Sequence, residues 1–165
     1  MDPMSKQAVQ AAFVNVSRSE RGAVGLPGGF AATDWPSLDF LGWRDPRFPL
    51  RGYLVRQHGR EVVAVAMSTT GGGLPTGRKA MCSICRAVDS SSAIALFTAR
   101  RAGSAGRRGD SVGTYICAGL DCSEQLRHPT ARPGRARLDT GPDVEAAAAA
   151  MLGRLDHFLH TVTSP

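Results

Sequence analysis

The residues best suited to chemistry are four cysteines, Cys82, Cys85, Cys117 and Cys122, the only cysteines in the chain. They fall into two close pairs, C-x2-C and C-x4-C, with thirty-one residues between them. Four thiolates at ~2.3 Å complete a tetrahedral shell around zinc, the usual arrangement where the ion is structural. A redox dithiol would use one pair and leave the other unexplained. A catalytic zinc keeps one position open for water, and the deaminase version needs H-x-E with P-C-x-x-C. Met81 precedes the first pair here, and "HGRE" at 58–61 has the wrong spacing. "GGLPTGRK", 72–79, approximates a phosphate loop, but Arg78 stands where lysine is required and Lys79 where a hydroxyl belongs. The reading is one structural zinc held by Cys82, Cys85, Cys117 and Cys122, with no catalytic residues and no enzymatic turnover.

The elements around the cysteines must bring the two pairs together. "AIALFTAR", 93–100, and "SVGTYIC", 111–117, read as strands of an antiparallel hairpin. Folding back places residue 117 beside the start of the first strand, close to Cys85. "LDCSEQLR", 120–127, starts a helix, whose first turn favours the thiolate of Cys122. A knuckle, a hairpin and a ligand-bearing helix make the layout of a treble-clef zinc finger. Upstream, "YLVRQHGREVVAVAM" reads as a second hairpin turning near Gly59. Residues 5–16 put Val9, Ala12, Phe13 and Val16 on one helical face, and Ser17 with Glu20 has the capping-box pattern of a second short helix.

Residues 30–53 hold six of the ten aromatics, interrupted by prolines, and read as an irregular segment wrapped over a sheet. "HPTARPGRAR", within 128–141, is a connector. From 142 to 165 an apolar stripe of Val144, Ala148, Met151, Leu152, Leu155, Phe158, Leu159 and Val162 marks an amphipathic helix. The expected organisation is an N-terminal helical arm over 1–29, a zinc-finger domain over 30–127, the connector, and the C-terminal helix. The expected class is α+β, with a small antiparallel sheet.

The net charge is +6, and the excess is local: residues 78–137 carry eleven basic and four acidic residues. Such a balance fits an acidic partner, either nucleic acid or an acidic protein face. The segment 101–110, "RAGSAGRRGD", reads as a basic glycine loop at the hairpin tip. Arg100, Arg101, Arg107 and Arg108 are the candidate contact residues. Tyr115 shares a strand face with Cys117 by alternation, which makes it either zinc-core packing or an aromatic anchor. No apolar run reaches the ~18 residues of a membrane span, and the N-terminus lacks a secretory pattern. A cytoplasmic protein without disulfides is expected.

Taken together, "MCSIC", "AGRRGDSVGTYIC" and "DFLGWRDP" resemble the elongation factor G-binding family, the fibronectin-binding-protein-like (FBP) C-terminal treble-clef zinc finger. FusB-type fusidic acid resistance proteins are among its members. The resemblance spans roughly residues 30–127 and is nearest to short actinobacterial forms. It implies a binding protein that engages elongation factor G and helps it leave the ribosome when fusidic acid holds it there. It also implies contact through the finger region. Similar proteins carry an N-terminal helical bundle, for which only residues 5–29 are available here. The alternative from another class is a zinc finger that binds ribosomal RNA or DNA through the same arginines.

Overall fold

In the computed structural model, which describes residues 1–71, 79–90, 94–128 and 143–164, two hairpins join into one sheet. The first hairpin pairs β2 (Arg51–His58) with β3 (Glu61–Ser68), from Arg51↔Ser68 to His58↔Glu61. Only Gly59 and Arg60 remain for the turn, and Gly59 takes a positive φ of 58°. That conformation suits a two-residue hairpin and is easy for glycine. The second hairpin pairs β6 (Ile94–Arg100) with β7 (Ser111–Cys117), from Ile94↔Cys117 to Arg100↔Ser111. The two hairpins meet where Ser68 pairs with Thr98. Asn15 fastens the junction from above. Its amide accepts from Ala66 N–H and donates to the carbonyls of Ala66 and Arg100, all within 2.9 Å.

A further strand, β1 (Leu41–Arg44), adds to β2 and gives the order β1-β2-β3-β6-β7. It lies inside the segment read as irregular. Two short strands, β4 (Lys79–Met81) and β5 (Val88–Ser90), form a separate ribbon around the first cysteine pair.

Alternation along β2 and β3 feeds two cores. Leu54, Val65 and Met67 face one side, with Phe97, Ile116 and the four cysteines. Tyr53, Val55 and Ala64 face the other, with Val9, Phe13, Trp35 and Trp43. The N-terminal helices α1 (Lys6–Ala11) and α2 (Arg18–Ala23) cover the second side. Ser17 and Glu20 form the expected capping box at the start of α2. The first helix is shorter than its periodicity suggested: the chain leaves it at Ala12, and Phe13 bridges to Ala64 of β3. Pairing with β3 satisfies the main chain there, since Ala64 donates to Ala12 O and accepts from Val14 N–H. The helical face and the strand contact point Val9 and Phe13 into the same core.

Helix α4 (Cys122–Arg127) and the long α5 (Val144–Thr163) cover the first side. Six residues of the expected stripe are buried: Ala148, Met151, Leu155, Phe158, Leu159 and Val162. Asp143 caps α5 by accepting from Ala146 N–H. The segment read as a connector, apart from His128, and most of the phosphate-loop look-alike lie outside the described residues. The expected basic loop at the hairpin tip contains a five-residue helix, α3 (Gly103–Arg107). Its turn is tight enough that a Cβ on Gly106 would fall 1.8 Å from Arg101 O. Ala105 is buried beneath it, so the tip is a packed turn rather than a freely adaptable loop.

Candidate metal centre

The first cysteine pair sits on the turn of the β4–β5 ribbon. Cys82 N–H donates to Ala87 O, and Cys85 N–H points at Cys82 Sγ, 3.4 Å away. Arg86 closes the turn with a positive φ of 65°. Two bonds position this knuckle from outside. Ser83 N–H donates to Tyr115 O at 2.7 Å, and Arg154 of α5 donates from Nε to Ile84 O at 2.6 Å.

The second pair brackets the exit from β7. Cys117 is its last residue and Cys122 the first of α4, as the spacing suggested. Between them Leu120 takes a positive φ of 59°, and its N–H donates to Cys117 O. The stretch "DFLGWRDP" holds this second loop against the sheet. A Cβ on Gly42 would lie 2.2 Å from Leu120 O, so only glycine lets the loop approach β1. Arg44 donates to Ala118 O at 3.1 Å. The main-chain N–H of Asp39 donates to Ser123 Oγ at 2.7 Å, while its carboxylate accepts from Arg127. Arg127 also pairs with Glu145, linking α4 to α5. Asp45 accepts from Tyr53 Oη at 2.8 Å and from Arg47 and Phe48 N–H.

The four sulfurs lie within 4.8 Å of one another, and all four residues are buried. Cys82 and Cys122 sulfurs are 3.7 Å apart, and those of Cys85 and Cys117 are 3.5 Å apart. A tetrahedron with Zn–S bonds of ~2.3 Å has edges of about 3.8 Å, so the cluster has the size of a zinc shell. Hard cations prefer oxygen donors, whereas an all-sulfur tetrahedral set suits zinc. The four positions are taken by protein, so the ion's role is structural. This is the one-zinc, four-cysteine centre expected from the spacing.

Four thiols at this separation cannot all ionise without a cation. Contact with Cys117, then with Cys122 and Cys85, holds the Cys82 thiol far below its ordinary value. Cys117 is pushed up: Cys122 lowers it, but Cys82, Cys85 and burial outweigh that contact. Contacts with Cys117, Cys82 and Cys85, together with burial, push Cys122 up as well. Zinc must displace protons from the raised thiols Cys117 and Cys122 to bind.

The expected contact residues separate into two places. Arg100, Arg101, Arg107 and Arg108 cluster at the hairpin tip, far from the sulfurs. Arg100 pairs with Glu20 of α2 at 2.9 Å. Arg101 donates from Nη2 to Ser164 O, and Ala102 N–H donates to Val162 O, tying the tip to the end of α5. Arg107 and Arg108 are exposed. Tyr115 sits at the other end of the hairpin, opposite Leu96. It lies four positions along the strand from Ser111, roughly 13 Å, so the tip arginines do not surround it. It does not pack on the zinc core either. Cys117 turns inward as the strand ends, while Tyr115 remains 40% exposed. The aromatic segment is mostly core, since Trp35, Phe40, Trp43 and Tyr53 are buried.

Sequence reading missed Arg21, which shares a cleft of about 440 Å³ with Arg100, Arg101 and Arg107. Its partners are eighty residues away along the chain, so no local pattern marks it. It also missed the β7–α5 groove, where Arg86 of the β4–β5 turn meets Arg154 and His157 of α5. Among the described residues no helix is long and apolar enough to cross a membrane. The family model described as FBP C-terminal treble-clef zinc-finger matches residues 8–162, well beyond the 30–127 over which the motifs are recognisable. No curated protein and no solved structure matches the chain.

Proposed function

Because the chain belongs to the FBP C-terminal treble-clef zinc-finger family, we propose that it is a cytoplasmic binding protein for translation elongation factor G. In this reading it helps the factor leave the ribosome when fusidic acid holds it there. Zinc, bound by Cys82, Cys85, Cys117 and Cys122, serves as a structural staple. The tip arginines Arg100, Arg101, Arg107 and Arg108 and the exposed Tyr115 contact the factor, and no residue carries catalysis. The observation that carries the reading is the match over 8–162 on a chain whose sulfur cluster is closed and buried. A shell without an open position cannot activate water, which leaves a scaffold for surfaces. Arginine and tyrosine are residues that dominate binding hot spots, and a basic face complements an acidic factor.

A second reading, binding of ribosomal RNA or DNA, is favoured by one detail. The Nε atoms of Arg21 and Arg101 are buried without a hydrogen-bond acceptor, and both residues line the tip cleft. A phosphate oxygen there would satisfy such donors. Capture from lysate with and without nuclease, followed by mass spectrometry, separates the two. Elongation factor G is expected in both samples. Its loss after nuclease treatment, or recovery of nucleic acid alone, would overturn the first reading in favour of the second.

A further inference from the structure

Strand β7 is an edge of the five-stranded sheet. The bond from Ser83 N–H to Tyr115 O leaves β7 on the side away from β6. In an antiparallel ladder alternate residues point their main-chain groups the same way. Gly113, two residues before Tyr115, therefore directs its N–H and C=O off the edge, and no described residue meets them. Edge groups of this kind are templates for an added strand.

A groove of about 580 Å³ runs along this edge, between β7 and α5, and the first cysteine knuckle flanks it. Its lining includes the basic residues Arg86, Arg154 and His157 and no Asp or Glu. Gly113 and Gly153 both line it, and a Cβ on Gly153 would meet nothing within 4 Å, so the α5 wall is open there. The bond from Arg154 Nε to Ile84 O holds that guanidinium at the wall. The opposite face of the edge is apolar, where Leu96 and Tyr115 are 43% and 40% exposed.

We propose that this edge binds an extended partner segment of alternating acidic and apolar residues, added to β7 as a sixth strand. The outward groups of Gly113 pair with its main chain. Side chains on one face of such a strand meet Arg86, Arg154 and His157, and those on the other meet Leu96 and Tyr115. A period of two follows from strand geometry, and charge complementarity selects carboxylates on the α5 side. The inference rests on the reading of the chain as a protein-binding domain and assigns a place to part of the partner.

The probe is the peptide acetyl-Glu-Val-Glu-Val-Glu-Val-amide, added to the full zinc-loaded chain. Two further peptides carry N-methyl groups on the valines alone or on the glutamates alone. In an extended strand one of these sets faces β7 and the other faces solvent. The expected result is that one methylated peptide binds at least tenfold more weakly and the other binds like the parent, with the Gly113 amide resonance shifting on binding. Arg86→Asn combined with His157→Glu should weaken the parent peptide at least tenfold at unchanged zinc content. Equal affinity of the two methylated peptides, shifts confined to residues 100–108, or no binding by the zinc-loaded chain would overturn the proposal. So would self-association of the chain through Gly113, or displacement of the peptide by hexauridylate. The peptide assay reports the groove and lysate capture reports elongation factor G, so the two readings can fail separately.

Discussion

Removal of one thiol from a closed zinc shell leaves a site that no longer holds the ion, and structural zinc is coupled to folding. Cys117→Ser is expected to lose zinc and to melt the finger, read by elemental analysis and near-ultraviolet circular dichroism. Acid should act in the same direction. Cys117 and Cys122 are held up by their neighbours and by burial, so the metal competes with protons there, and zinc occupancy should fall as pH falls. A chelator titration at several pH values measures this. Tyr53 gives an alkaline counterpart. Burial and the Asp45 carboxylate push its phenol up to about 12 from 10.0. The unfolded chain then loses the proton first, so this contribution is complete below pH 10 and disappears as pH rises to about 12. Tyr53→Phe should abolish that alkaline loss of stability. At neutral pH it should cost about 1–2 kcal/mol, because Asp45 keeps its main-chain donors but loses the phenol.

The element most dependent on one small residue is β1, which touches the second cysteine loop at Gly42. Gly42→Ala would force a Cβ to within 2.2 Å of Leu120 O, a main-chain atom that cannot turn aside. Destabilisation of about 2–4 kcal/mol is expected, together with weaker zinc retention, measurable by thermal unfolding and metal competition. At the tip, Arg107→Glu with Arg108→Glu should weaken binding to elongation factor G while zinc stays bound. Tyr115→Ala, at the other end of the hairpin, should cost more than ~1 kcal/mol of binding if it anchors the factor. Calorimetry at moderate salt checks both. The β6–β7 hairpin, the start of α4 and the stripe of α5 were legible because their patterns are local: strand alternation, a cysteine at a helix start, and a 3.6-residue apolar period. β1 was not, because prolines and aromatics on both sides mask a strand of four residues whose pairing is set by Trp43↔Tyr53. The α3 turn was hidden by glycines that disfavour helix in isolation. There Gly106 is required by the close approach of Arg101 O, a contact that no propensity records.

For the whole molecule, the zinc cysteines, the sheet and α5 share one apolar core. Leu155 is fully buried in it, and Leu155→Ala should destabilise by about 2–5 kcal/mol. Zinc removal should therefore lower the stability of β6, β7 and α5 together, so amide exchange in α5 should accelerate when the metal is chelated. The site was legible because all four cysteines belong to it. The unity of the core was not, since the sequence of 129–142 reads as a tether and gives no sign that α5 joins the cysteines' core.

That joining has a consequence for biosynthesis. Cys122 completes the sulfur set, yet the helix that shares its core ends only at Thr163. At about 5–20 residues per second the ribosome needs roughly 2–8 s to translate the intervening stretch. During that interval the nascent chain carries every ligand but lacks the helix that completes their core. Metal delivery and thiol oxidation then compete for the same sulfurs before α5 joins their core.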